Sequence, residues 1–131
     1  MLYTLKVRTS KRHSIIRRIV GKLRKLVGTA RQDGTENTAL VRKYAAGKSF
    51  ADIGCMWGVN GLHSFLAEEH GATRVVAVDV YPESKEFLEE KTRRNSSVQF
   101  VRGDVNLPET TKKIGVCDVV LCAGVLYHTP D

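Results

Sequence analysis

Three glycines and an acid follow a short apolar run near the middle of the chain. Residues 49–61 read Ser-Phe-Ala-Asp-Ile-Gly-Cys-Met-Trp-Gly-Val-Asn-Gly, and a helical pattern begins directly after them. A strand that passes through a glycine turn into a helix lets the backbone approach a ligand closely, and the helix N-terminus offers free N–H groups. The stretch therefore predicts a site for a nucleotide-type cofactor.

Two further acids lie where such a cofactor would need them. Asp79 ends the second apolar run, 25 residues after Gly54. A carboxylate at that spacing can accept both hydroxyls of a ribose, whereas on its own it would be a surface acid that closes a strand. Asp104 follows the third apolar run and could accept a hydrogen bond from an adenine amine, although its Gly-Asp pair also fits an ordinary turn.

The elements that position these residues alternate along the chain. Apolar runs predict strands at residues 49–54, 74–80, 98–102 and 117–122. Helical patterns predict helices at residues 38–46, 63–70 and 82–94, whereas the polar segment that contains Pro108 is predicted to be a loop. Strands that alternate with helices imply a parallel sheet with right-handed crossovers.

Taken together, these motifs resemble those of the class I S-adenosylmethionine-dependent methyltransferases. The likeness rests on segments 52–58, 75–79, 103–104 and 117–128, which keep the order and spacing of the family's motifs. Segments 71–79 and 125–128 look like the branch that contains the wobble-uridine tRNA-modifying enzymes. The resemblance implies S-adenosyl-L-methionine as the cofactor. It also implies a three-layer, Rossmann-like α/β fold with a parallel sheet, of which the chain holds the first four strands in the order 3-2-1-4.

The resemblance further implies a set of cofactor-binding residues at the strand ends. Asp52 would contact the methionine amino group, and Asp79 would hold the ribose. Asp104 and Val105 would frame the adenine, while the glycines would let the backbone pass the methionine moiety. The whole predicted set is Asp52, Gly54, Cys55, Gly58, Asp79, Val80, Asp104, Val105, Ala123 and Gly124.

Tyr127 and His128 are predicted as the catalytic, substrate-facing residues, because they occupy the family's motif after the fourth strand. The near-neutral pKa of a histidine suits a general base for a hydroxyl or amine acceptor, although a loop histidine without such a role also fits the sequence. His63 has no catalytic context in the sequence. Trp57 could border the cofactor or pack on the sheet, and no cluster resembles a metal site.

Two departures from the family pattern leave other functions open. Met56 replaces the middle glycine of the family's turn, and the chain ends after the fourth of seven expected strands. A catalytically inactive, cofactor-binding or structural remnant is therefore one alternative, and the open edge of the fourth strand would favour self-association. An NAD-dependent oxidoreductase is a further alternative, but its usual glycine spacing differs. The methyl acceptor, RNA (such as tRNA) or a small molecule, is not specified.

The charge of the chain is concentrated in a basic leader, residues 1–32, which precedes the predicted domain, residues 33–131. The leader holds ten of the 21 Lys and Arg residues and none of the 14 Asp and Glu residues. Its apolar residues recur at helical spacing, so a basic helix is predicted that packs on the domain, lies on an anionic membrane surface or follows a phosphate backbone. An organellar transit peptide is a weaker alternative.

The cysteines and the hydropathy pattern favour a cytoplasmic protein. The chain has three cysteines, and no Cys-x-x-Cys pair occurs among them. Free thiols in a reducing compartment are the simplest interpretation. No run of the sequence approaches the length that a transmembrane helix needs.

Overall fold

The computed structural model describes residues 36–123 and Val125, and these form a parallel α/β sheet structure. Four strands alternate with four helices along this part of the chain. The elements are α1 (Glu36–Tyr44), β1 (Ser49–Ile53), α2 (Leu62–Glu69), β2 (Arg74–Asp79), α3 (Lys85–Arg94), β3 (Gln99–Arg102), α4 (Pro108–Ile114) and β4 (Val119–Cys122).

The strand order is β3-β2-β1-β4, with every neighbouring pair parallel. This confirms the predicted fold class and the predicted order 3-2-1-4. The chain reverses its direction of winding between β3 and β4, so the carboxyl ends of β1 and β4 meet at a topological switch point, where ligands bind in open α/β sheets. The register places Asp52 opposite Ala77 and Leu121 in the two flanking strands.

Both faces of the sheet are covered, which explains why the central strands lack polar alternation. Alternate residues of β2 belong to two different core clusters, Val75 and Ala77 to one and Val76 and Val78 to the other. Helices α1, α2 and α3 supply the first cluster with Val41, Phe65 and Phe87, and α4 supplies the second with Ile114. The result is a three-layer arrangement around the sheet.

Phe87 is the centre of the larger cluster. Its ring is fully buried and lies 5.0 Å from the ring of Phe65 and 5.8 Å from that of Phe100, measured between centroids. Such aromatic pairs stabilise a core beyond the apolar area that they bury. They fix α2 and α3 on the same face of the sheet and thereby position the two loops that precede these helices.

Three sequence predictions need correction. The polar segment with Pro108 is not a loop: Pro108 opens α4, which buries Thr110 and Ile114. Helix α3 does not begin at Pro82 but after Ser84, whose hydroxyl accepts a hydrogen bond from the Phe87 N–H at 3.1 Å. Helix α1 begins at Glu36, two residues before the predicted start at Thr38.

Several predictions concern parts of the chain outside the described residues. The basic leader at residues 1–32 belongs to these, so its predicted helix and its boundary with the domain stay predictions. The same holds for Gly124, Tyr127 and His128.

Candidate cofactor site

A cavity of about 670 Å³ opens at the carboxyl ends of the strands. The loops after β1, β2 and β3 and the segment after β4 contribute to its wall. Seven of the predicted cofactor-binding residues line it: Asp52, Gly54, Asp79, Val80, Asp104, Val105 and Ala123. The sheet thus brings together, at one edge, residues that lie up to 71 positions apart in the sequence.

Asp79 is the polar centre of the cavity wall. Its carboxyl group is buried, with the residue only 6% exposed, and both oxygens accept backbone hydrogen bonds. Oδ2 accepts from the N–H of Met56 at 2.8 Å, and Oδ1 accepts from the N–H of Tyr81 at 2.9 Å. Because each carboxylate oxygen can accept a second hydrogen bond, Asp79 can hold these loops and still accept the hydroxyls of a ligand.

Gly54 makes the turn that leads from β1 into the cavity wall. Its φ of 79° lies in the left-handed region, which favours glycine. Its N–H donates to the carbonyl oxygen of Val78 at 2.8 Å. A Cβ atom at this position would lie 2.3 Å from Cγ2 of Val125, so the glycine is required by crowding as well as by backbone conformation.

Asp52 is a second buried acid on the same cavity. The residue is 2% exposed, and its Oδ2 accepts a hydrogen bond from the hydroxyl of Ser64 in α2 at 2.7 Å. Burial raises the pKa of Asp52 to about 6, and the neighbouring charge of Asp79 acts in the same direction. A carboxylate that is costly to ionise in this position would be stabilised by a cation in the cavity.

Asp104 lies in an exposed turn after β3. Its Oδ1 accepts a hydrogen bond from the N–H of Asn106 at 2.9 Å, which is the local geometry of an aspartate turn. The adjacent N–H of Gly103 donates to the carbonyl oxygen of Asp79 at 2.9 Å. This contact holds the Asp104 turn beside Asp79, and Val105 packs against the second core cluster.

Two predicted contacts lie apart from the cavity lining. Cys55 is fully buried in the larger core cluster. Burial, followed by the charge of Asp52, raises the pKa of its thiol well above the usual range, so the thiol stays protonated and unreactive. Gly58 adopts a φ of 70° in the turn between β1 and α2 without lining the cavity.

The cavity wall also contains residues outside the predicted cofactor-binding set, among them Trp57, for which the sequence left two positions open. Trp57 and Tyr81 both line the cavity. Trp57 is 78% exposed and Tyr81 is 55% exposed, so the ring of Trp57 is not packed on the sheet. His63, which had no context in the sequence, is a buried wall residue, and burial lowers its pKa. The position of His63 just after the glycine turn, at the start of α2, was the sequence signal that could have placed it in the cavity wall.

The described residues contain no cluster of three or more histidine, cysteine or acidic residues that could hold a metal ion. Among the same residues, no helix is long and apolar enough to cross a bilayer. What the site offers instead is a pair of buried carboxylates, a glycine turn and an apolar wall. Open α/β sheets bind nucleotide-type ligands at such a switch point, in cavities with a few convergent polar groups.

Comparison with known protein families identifies the family of this chain. The model of the FtsJ-like methyltransferase family matches residues 25–127. The chain belongs to the FtsJ-like methyltransferase family, which confirms the predicted class I methyltransferase relationship. The finer placement near the wobble-uridine enzymes stays a prediction. No match was found among curated proteins.

Two solved structures are similar to the chain. One is the PRMT1 enzyme–prozyme heterotetrameric complex of Trypanosoma brucei with AdoHcy, at a TM-score of 0.56 and 25% identity, covering 80% of this chain and 31% of the other. The second is a candidate RNA methyltransferase of Pyrococcus horikoshii, at a TM-score of 0.50 and 25% identity, covering 65% of this chain and 40% of the other. The chain thus spans well under half the length of these neighbours.

Proposed function

We propose that this chain forms the S-adenosylmethionine-binding part of a methyltransferase. The observation that carries the proposal is the pair of buried acids, Asp52 and Asp79, which lie at the carboxyl ends of neighbouring strands and line one cavity. S-adenosylmethionine has an ammonium group at one end and a ribose in the middle. Two separate carboxylates match these two groups.

Asp79 is proposed to bind the ribose. Its two oxygens are fixed in place by the N–H groups of Met56 and Tyr81, so the carboxylate is held in one orientation before a ligand arrives. A preorganised acceptor loses little entropy when it binds two hydroxyls. The lining residue Val80 and the Asp104–Val105 turn are proposed to frame the adenine beside it.

Asp52 is proposed to bind the ammonium group of the methionine moiety, directly or through water. The cavity wall around it contains Gly54 and Ala123, which leave space for a ligand backbone. Gly58 and Gly124 are assigned to the same end of the cofactor by the family motif. The hydroxyl of Ser64 donates a hydrogen bond to the Asp52 carboxylate and so helps to orient it.

The bound cofactor would supply an electrophilic methyl group, and the chain's own residues would align it and exclude water. Tyr127 and His128 are proposed as the residues that face the acceptor, with His128 as a base for an acceptor hydroxyl or amine. The acceptor is proposed to be RNA or a small molecule. The basic leader and the candidate RNA methyltransferase of Pyrococcus horikoshii support RNA.

Isothermal titration calorimetry of the full chain with S-adenosylmethionine, S-adenosylhomocysteine and NAD tests the proposal. We expect saturable binding of the first two and none of NAD. Asp79→Ala should weaken S-adenosylhomocysteine binding by at least about tenfold, because the ribose hydroxyls of the buried ligand lose the carboxylate that accepts their hydrogen bonds. Glu86→Gln, an exposed acid of α3, is the matched control and should bind normally. Saturable binding of NAD alone would overturn the assignment in favour of an oxidoreductase.

The leader is proposed to contact an anionic partner, either RNA or a lipid surface. Replacing Arg17, Arg18 and Arg24 with glutamine in the full chain should weaken binding to tRNA or to anionic vesicles, whichever is the partner. The loss should be larger at low salt. Equal binding by the unchanged chain and the triple variant at all salt concentrations would contradict the proposed role of the leader. The cytoplasmic location stays a prediction.

The remnant alternative has one specific observation in its favour. Among the strands that the structure describes, β4 lies at the edge of the sheet, and Val120 is 59% exposed. An apolar edge of this kind can pair with a strand of another chain. Sedimentation of the full chain and of Val120→Lys tests self-association. A concentration-dependent dimer that the substitution abolishes, in a chain that binds none of the three ligands, would favour a structural role.

A further inference from the structure

Two exposed aromatic rings lie together on the wall of the cofactor cavity. The ring centroids of Trp57 and Tyr81 are 6.2 Å apart, with an angle of 36° between the ring planes. Both residues line the cavity, although 78% of Trp57 and 55% of Tyr81 is exposed. Large aromatic side chains on a cavity rim leave apolar area in water that a ligand could cover.

The backbone that carries these rings is fixed by Asp79. One carboxylate oxygen holds the N–H of Met56, the residue before Trp57, and the other holds the N–H of Tyr81 itself. A ligand whose hydroxyls bind Asp79 would therefore occupy the cavity that both aromatic residues line. Val80, which is 54% exposed, lies between Asp79 and Tyr81 in sequence and lines the same wall.

The ring spacing decides how the pair can contact a flat ligand. Insertion of a planar ring between two others needs about 7 Å between their centroids, since stacked carbon atoms sit about 3.5 Å apart. The separation of 6.2 Å at a tilt of 36° is too small for that. The pair can instead present one continuous apolar wall to one side of a ligand.

We propose that Trp57 and Tyr81 together form an aromatic wall that packs against the nucleoside half of the bound cofactor. This inference rests on the proposed function and adds to it two residues to which the resemblance assigns no role. The wall would favour ligands with a base and a ribose over the free amino acid. It would also shield the ribose–Asp79 contact from water, which strengthens hydrogen bonds to a carboxylate.

The intrinsic fluorescence of the protein tests this wall directly, because Trp57 is the only tryptophan of the chain. S-adenosylhomocysteine and adenosine should change the tryptophan emission in a saturable way. The midpoint for S-adenosylhomocysteine should equal that from calorimetry. Methionine, which lacks the nucleoside, should leave the emission unchanged.

Substitutions separate contact from folding. Trp57→Ala should weaken binding of S-adenosylhomocysteine about tenfold, the effect of losing one base–aromatic contact. Trp57→Phe, which keeps a ring, should retain most of the affinity. Tyr44→Ala, which removes an exposed ring of α1 outside the cavity lining, is the matched control and should bind normally.

The outcomes distinguish this inference from the proposed function. Calorimetric binding of S-adenosylhomocysteine with constant tryptophan emission and normal affinity in Trp57→Ala would overturn the aromatic wall and leave the proposed function intact. A folded chain that binds no S-adenosylhomocysteine would overturn both. An emission change with methionine equal to that with adenosine would also contradict a wall that contacts the nucleoside.

Discussion

The carboxylate of Asp79 accepts a hydrogen bond from the backbone N–H of Met56 at 2.8 Å, so the acid that ends β2 holds the loop that follows β1. The same carboxylate holds the N–H of Tyr81. Asp79 thus has a structural part in the protein without ligand, in addition to the ribose contact proposed for it. A substitution of Asp79 should affect stability and binding together.

The two effects of Asp79 can be separated with two substitutions. Asp79→Ala leaves the N–H groups of Met56 and Tyr81 without an acceptor, and each such loss costs about 1–3 kcal/mol. Asp79→Asn keeps one acceptor oxygen, so its free energy of unfolding should lie between those of Asp79→Ala and the unchanged protein. Urea denaturation measures this order. Equal stability of all three proteins would contradict the structural role.

The ribose contact is tested from the ligand side. Removing both ribose hydroxyls from adenosine should weaken its binding to the unchanged protein. The same change in the ligand should have little effect on Asp79→Ala, because the side chain that accepts from the hydroxyls is already gone. Calorimetry with adenosine and dideoxyadenosine gives the four affinities. If the affinity losses from the ligand change and from the substitution simply add, the ribose hydroxyls do not bind Asp79.

Asp52 should make stability depend on pH. Its folded pKa of about 6 lies above its ordinary value of 3.8, so the folded state binds the proton more tightly than the unfolded state. The stability from this group is present below the ordinary value and is lost as the pH rises to the folded pKa. The loss is on the order of 3 kcal/mol. Unfolding of the unchanged protein and of Asp52→Asn from about pH 4 to pH 8 should show this decrease only in the former.

Ligand affinity should change with pH in the opposite direction. An ammonium group is bound best by the ionised Asp52, so the affinity for S-adenosylhomocysteine should rise as the pH increases through the Asp52 pKa of about 6. Adenosine, which lacks the ammonium group, should show no such rise. Ser64→Ala removes a hydrogen bond that lowers the Asp52 pKa and should move the rise to higher pH. Parallel pH profiles for both ligands would contradict the ammonium contact.

Gly54→Ala should destabilise the protein for two reasons. The φ of 79° is strained for alanine, and the new Cβ would lie 2.3 Å from Val125. Gly47→Ala is the matched control, since its φ is 70° and no described atom lies within 4 Å of the added Cβ. We expect the free energy of unfolding to fall by about 1–2 kcal/mol in the control, and by about 1–3 kcal/mol more in Gly54→Ala. Adding Val125→Ala to Gly54→Ala should restore the extra stability lost relative to Gly47→Ala, because it removes the crowding methyl group. If the stability is not restored, crowding with Val125 is not the cause of the extra loss.

Much of the fold was predictable because the strands are short apolar runs with turn residues at their ends. After Arg74, strand β2 consists of Val and Ala up to the terminal acid, and this pattern indicates a strand covered on both faces. Helix α4 was missed because its sequence, Pro-Glu-Thr-Thr-Lys-Lys-Ile, has no apolar periodicity. Pro108 at the first helical position and Glu109 after it were the signals that could have indicated a helix start.

The placement of Asp52 and Asp79 on the cavity wall was predictable because each lies at the carboxyl end of a strand, whereas their binding roles stay predictions. Placement was not predictable where it depends on side-chain direction within a loop. Cys55 and Trp57 are two residues apart in the same turn, yet Cys55 is fully buried in the core and Trp57 is 78% exposed on the cavity. Only the path of the backbone through the glycine turn separates them.

Binding of S-adenosylmethionine in the cavity that Asp52 and Asp79 line is tested most directly by amide NMR of the full chain during titration with S-adenosylhomocysteine. We expect saturable shifts of the Met56 and Tyr81 amides, which the Asp79 carboxylate holds, and unchanged amides in the exposed last turn of α3. Saturable shifts confined to other residues, or a folded protein whose amides do not respond, would contradict it.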